Sequence, residues 1–185
     1  MQYIGKITFE NTFDAFDPCY GMETKHLHAT DLGEAGTYDC YVKYKKESPE
    51  DCARYIEMGF NPEEVNKGRP GHIIILKENE DIDYAFNTCE KETIKHLSVD
   101  AGMIGFFEKM PNVKDQDDWY TWLEDHVFDG LDPKTLSRKC LDYKIIDDGK
   151  THGFYSRTNY GDGSYPLMKI YNDKKEIIGY MVKMC

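Results

Sequence analysis

A chain of 185 residues with 14 Tyr, 9 Phe and 2 Trp carries enough large apolar side chains to bury a core as one domain over residues 1–185. No apolar run approaches the roughly 20 residues of a membrane helix, which excludes a helical span. The formal net charge is -11, and it is concentrated: residues 77–132 hold 15 acids against 5 bases, while residues 133–185 hold 6 acids against 10 bases. Such a field repels phosphate and argues against a direct grip on a nucleic-acid backbone.

In chain order, the opening residues from Met1 to Lys6 lack the basic and apolar regions of an export signal, so a cytoplasmic protein is expected. Residues 2–10 read as a strand. Residues 37–46 alternate, with Tyr38, Cys40, Val42 and Tyr44 on one face and Asp39, Tyr41, Lys43 and Lys45 on the other, the pattern of a strand with one wet side. Ser48 followed by Pro49 starts a helix that should stop near Gly59, because Ser accepts the first free N–H groups and Pro lacks the one that would go unpaired. Asn61-Pro62 repeats the device for a short turn of helix. His72 to Leu76 is a β-branched apolar run, expected as a buried central strand.

Residues 94–107 read as a strand pair around Asp100-Ala101-Gly102. From Asp115, Trp119, Trp122, Leu123, His126 and Val127 fall at helical spacing on one stripe, with Asp115, Asp117 and Asp118 at the end where the helix dipole favours anions. A further helix is expected over Pro133 to Leu141. Strands are expected over 152–158, 165–171 and 176–184, the last two joined by a turn at Asn172-Asp173-Lys174-Lys175. The sum is an α+β fold, an antiparallel or mixed sheet with a few helices packed on it.

Several groupings bear on chemistry. Asn79, Asp81, Asp83 and Glu90 occupy positions 1, 3, 5 and 12 of a calcium loop, but Tyr84 stands where that loop needs Gly. Cys19, His26, His28 and Cys40 offer a zinc donor set without the tight C-x-x-C knuckle usual for zinc. The six cysteines otherwise read as reduced thiols. His96, Asp100, His126 and His152 are acid–base candidates with no nucleophile motif beside them, and His126 on an apolar stripe is more simply a packing residue. Tyr160-Gly161-Asp162-Gly163-Ser164-Tyr165-Pro166 is a tight polar loop that presents Asp162.

Three segments taken in order, Asp17-Pro18-Cys19-Tyr20, then Val99-Asp100-Ala101-Gly102-Met103-Ile104-Gly105-Phe106-Phe107, then Tyr160 to Pro166, resemble an uncharacterised domain family of unknown function from Gram-positive bacteria and their phages. The resemblance implies a β-rich fold and a bacterial host cytoplasm, and brings no established activity. Asp17, Asp100 and Asp162 each lie at a turn in a matching segment. They would form a carboxylate corner if those turns met, or else each would bond backbone N–H groups of its own turn.

The functional expectation is a small acidic binding protein, an anti-CRISPR-like inhibitor that needs no cofactor. It would occupy a basic nucleic-acid-binding surface of a partner such as a CRISPR nuclease, through Asp115, Asp117, Asp118, Trp119, Tyr120, Trp122, Glu124 and Asp125. Carboxylates with interleaved aromatics suit such an interface. The alternative is a metal-assisted hydrolase or nuclease using Asp100, Asp162 and His152.

Overall fold

The computed structural model describes residues 1–18, 32–59, 61–99, 102–110, 116–131, 138–158 and 161–185. The elements follow in the order β1 (Gln2–Phe9), β2 (Asp14–Phe16), β3 (Gly36–Lys45), α1 (Pro49–Glu57), α2 (Pro62–Lys67), β4 (Arg69–Lys77), α3 (Ile82–Asn87), β5 (Glu90–Val99), β6 (Met103–Lys109), α4 (Gln116–His126), β7 (Phe128–Leu131), β8 (Arg138–Cys140), β9 (Tyr143–Asp147), β10 (His152–Arg157), β11 (Gly163–Tyr171) and β12 (Ile177–Lys183). They form a six-stranded sheet in the order β1-β3-β4-β12-β11-β5, a four-stranded sheet β2-β6-β10-β9, and the pair β7-β8. Every pairing is antiparallel, so the fold is α+β with antiparallel sheets.

The period-2 pattern builds three apolar layers. Along β4, Ile73 and Ile75 point one way and Ile74 and Leu76 the other, and all four are fully buried. The inward pair joins Phe9, Tyr38, Cys40, Val42 and Val182 of the large sheet against Ile104, Phe106 and Phe154 of the small one. The outward pair lies under Ile82, Ala85 and Phe86 of α3. The far face of the small sheet, with Met103, Phe107, Ile146 and Tyr155, is covered by Trp122 and Leu123 of α4 and by Val127 just after it. Helix α3 thus closes the large sheet and α4 the small one, which spares both outer apolar rows from water. Phe107 lies flat over its own sheet: a Cβ at Gly153 would come within 2.1 Å of its ring, and one at Gly105 within 2.6 Å.

The caps behave as their residue types require. Ser48 accepts from Asp51 N, and Asn61 from Glu63 N, with Pro49 and Pro62 just inside their helices. The strand at 72–76 is interior, as its composition implies.

Three expectations are corrected. The segment 94–107 does contain two strands, but β5 pairs with β11 while β6 pairs with β2 and β10. The chain crosses between sheets there, because β6 is apolar on both faces, buried from Met103 to Phe107, and a half-wet hairpin would leave one face exposed. The helix expected over Pro133 to Leu141 is replaced at 138–140 by β8, where pairing with β7 overrides local preference; residues 132–137 lie outside the described residues. The calcium-like segment folds as α3. Asp81 caps it by accepting from Tyr84 N, and Asn79 takes a left-handed φ of 70° that turns the chain into the helix. Strands β2, β7, β8 and β9 had no sequence signal strong enough to mark them.

Candidate functional site

Helix α4 carries most of the expected interface residues. At about 100° per residue, Trp122 and His126 fall on one face, and the structure buries both, at 5% and 9% exposure. The indole Nε1–H donates to Thr151 Oγ1 at 3.0 Å, and the indole and imidazole planes stack with centroids 5.1 Å apart. Tyr155 from the sheet donates its hydroxyl to the His126 carbonyl at 2.8 Å.

His126 is held from two sides. Its Nδ1 lies 2.9 Å from the Trp122 carbonyl and its Nε2 lies 2.8 Å from Asp148 Oδ2. Both partners are acceptors, so each ring nitrogen faces an oxygen. Asp148 uses its other oxygen to accept from Lys150 N at 2.8 Å and Thr151 N at 2.6 Å. Burial alone would raise its carboxyl, but those two backbone N–H groups and His126 outweigh it and hold Asp148 down at about 2. The last turn of α4 is thus locked to the β9–β10 turn by the His126–Asp148 contact and the indole hydrogen bond to Thr151.

The opposite face of α4 is wet: Asp117 and Glu124 are exposed and Tyr120 is 50% exposed, while Asp118 and Asp125, also exposed, lie on the flank of the buried stripe. The helix stripe therefore corrects one expectation: Trp122 is a core residue and offers nothing to a partner. Asp115 and the side chain of Trp119 lie outside the described residues.

The proposed carboxylate corner is half assembled. The turns around residues 102 and 161 do meet: Thr158 N donates to the Gly102 carbonyl at 2.8 Å, while Thr158 Oγ1 and the Tyr165 hydroxyl both donate to the Gly161 carbonyl. A Cβ on Gly102 would touch Gly161 Cα at 3.5 Å. The pairing of Phe16 with Gly105 brings residue 17 to the same end of the small sheet. Asp17, however, is 1% exposed, and Asp162 is exposed at the surface. A carboxylate withdrawn from solvent and one facing it do not make a shared ligand-facing pair. Asp100 lies outside the described residues.

Of the residues named for the hydrolase alternative, His152 and Asp162 are not brought together. His152 sits at the start of β10, and the Gly161 loop follows its far end, so the strand alone separates them by roughly 16 Å at about 3.3 Å per residue. His152 Nδ1 is instead 3.1 Å from Glu108 Oε2, and the same carboxylate accepts from Glu10 N and Asn11 N, tying the end of β1 to β6. Sequence reasoning missed these carboxylate partners, Glu108 and Asp148, which no local motif marks.

The zinc set loses Cys40, which lies at 0% exposure in the core between the sheets, where burial drives its thiol well above the ordinary range and away from the thiolate a metal needs. Cys19, His26 and His28 lie outside the described residues. Among the described residues, no three His, Cys, Asp or Glu side chains converge in a metal-holding group. No helix of the described chain is long and apolar enough to cross a membrane.

No family model, curated protein or solved structure matches this chain.

Proposed function

We propose that this chain is a non-enzymatic binding protein whose α4 face occupies a basic nucleic-acid-binding surface of another protein, in the manner of the small inhibitors that phages and mobile elements direct at CRISPR nucleases. The observation that carries this reading is the division of α4. One face is anchored by Trp122 and His126, the other sets out Asp117 and Glu124 around Tyr120, and Asp118 and Asp125 stand exposed on the flank between them. A helix pinned this firmly loses little conformational freedom on binding, which favours affinity. Its charge would speed encounter with a cationic groove that normally receives phosphates. Tyr120 supplies the aromatic anchor that the buried Trp122 cannot. The resemblance to a phage-associated family points the same way.

The test replaces Asp117, Asp118, Glu124 and Asp125 together by Lys and compares the two proteins in pull-downs from bacterial lysate at low and high salt, after circular dichroism shows both folded. The reading expects a basic nucleic-acid enzyme retained by the native protein at low salt, released at high salt and not retained by the reversed one. Retention that charge reversal leaves unchanged refutes it.

A further inference from the structure

On the outer face of the large sheet, beyond the helix that covers Ile74 and Leu76, lies a cluster of the opposite sign to the chain as a whole. His72 of β4 has Lys43 of β3 and Lys183 of β12 as its cross-strand neighbours. Cys185 Sγ lies 3.8 Å from His72 Nδ1, within reach of a sulfur hydrogen bond. Gly71 makes room for the sulfur, since a Cβ there would stand 3.1 Å from it. Phe86 meets His72 edge-on with centroids 5.4 Å apart and carries the Lys43 ammonium 3.8 Å above its ring. Lys91 adds a further cation 5.9 Å from the same ring.

Burial first, and then Lys43 and Lys183, push His72 down to about 4, so near neutral pH its imidazole is uncharged and accepts at Nδ1. A half-exposed thiol that touches a neutral imidazole, with Lys43 and Lys183 on the strands flanking that imidazole, has a cationic entrance that favours anionic reagents.

We propose that Cys185 is a site of thiol–disulfide exchange selective for low-molecular-weight disulfides that bear carboxylates, with Lys43 and Lys183 receiving the carboxylates. In this step the Cys185 thiol gives up its proton to solvent and the thiolate attacks one sulfur of the incoming disulfide. That S–S bond breaks, a mixed disulfide forms on Cys185, and the departing thiolate takes up a proton from solvent. The protein sulfur is oxidised and the departing sulfur reduced, so the incoming disulfide is the only oxidant required. The proposal is independent of the α4 reading.

The chain contains its own control. Cys52, also half-exposed, sits in α1 beside Glu50 and Asp51. The intact protein is exposed to oxidised glutathione, which is anionic, and separately to cystamine, which is cationic, and the rate at each cysteine is read by peptide mass spectrometry. The anionic-to-cationic rate ratio at Cys185, divided by the same ratio at Cys52, cancels the intrinsic reactivity of the two reagents. We expect this quotient to be about tenfold or more at low salt, the lower end of electrostatic steering, to fall toward one at high salt, and to fall likewise when Lys43 and Lys183 are both changed to Gln. A quotient near one in the native protein at low salt means an exposed cysteine only, and overturns the proposal without reference to any variant.

Discussion

Asp148 offers the sharpest test of how α4 is held. Asp148→Asn keeps an oxygen for the Lys150 and Thr151 N–H groups but turns an amide toward His126 Nε2. The two backbone contacts survive and the carboxylate charge beside His126 is lost. Asp148→Ala removes all three contacts and leaves a partly buried imidazole and a turn without its acceptor. The carboxyl is held from the ordinary 3.8 down to about 2, and each unit is worth about 1.4 kcal/mol. With the side chain 38% exposed, solvent screening reduces that to about 1 kcal/mol, which is the cost expected for Asn. The Ala variant, with donors left unpaired, should lose about 2–3 kcal/mol. The sign of the pH dependence follows from the depressed value. Asp148 contributes fully above its ordinary pKa and loses its contribution as pH falls through about 2, so the gap between native and Asn proteins should close between pH 4 and 2. Urea unfolding followed by circular dichroism across that range measures both effects. Equal losses for Asn and Ala at pH 7, or a gap that persists at pH 2, would show that the Asp148 carboxylate does not lock the helix.

Other outcomes follow from the same packing. Gly153→Ala places a methyl group 2.1 Å from the Phe107 ring and 2.7 Å from the Phe106 carbonyl; overpacking of that kind should cost about 1–3 kcal/mol, less in a Phe107→Ala background, and a double-mutant cycle by urea denaturation reads the difference. Trp122→Ala should cost about 3–5 kcal/mol by thermal unfolding and abolish partner retention, whereas Tyr120→Ala should leave stability within about 0.5 kcal/mol and weaken only binding. Asp142 accepts from Lys67, Arg157 and the Tyr44 hydroxyl, so Asp142→Ala should leave cations facing one another, destabilise the protein and raise protease cleavage around α2; an unchanged digestion pattern would count against that cluster as a tether.

Elements whose signal is local were legible in the sequence. Ser48-Pro49 and Asn61-Pro62 announce helices because the cap and the missing N–H act within one turn. The run at His72 to Leu76 shows an interior strand because both of its faces are apolar. Partnership was not legible. Nothing at Asp100-Ala101-Gly102 distinguishes a hairpin from a crossover, since both use the same turn chemistry, and only the burial of successive residues from Met103 to Phe107 betrays a strand covered on two faces. The stripe of α4 was readable, and it already contained the answer for Trp122, because a side chain on a helix's packed face is not also on its wet one. What lay beyond reading was the anchor of that stripe: Asp148 is 22 residues from His126, in a turn where Asp is expected for the backbone bonds it also makes.

The order of strands has a consequence for how the molecule is made. Strand β4 takes its place between β3 and β12, yet it ends at Lys77 and β12 begins at Ile177. A nascent chain on the ribosome therefore carries Ile73-Ile74-Ile75-Leu76 with one open edge for as long as it takes to synthesise everything in between. A short, uncharged, β-branched run of this kind is what pairs with a copy of itself when left uncovered. Non-local closure is slow even after release. Yield in the cell should therefore depend on chaperone occupancy during translation more than on the stability of the finished fold, and a chain stopped at Asp173 should collect in inclusion bodies although it retains most of the residues that form the core.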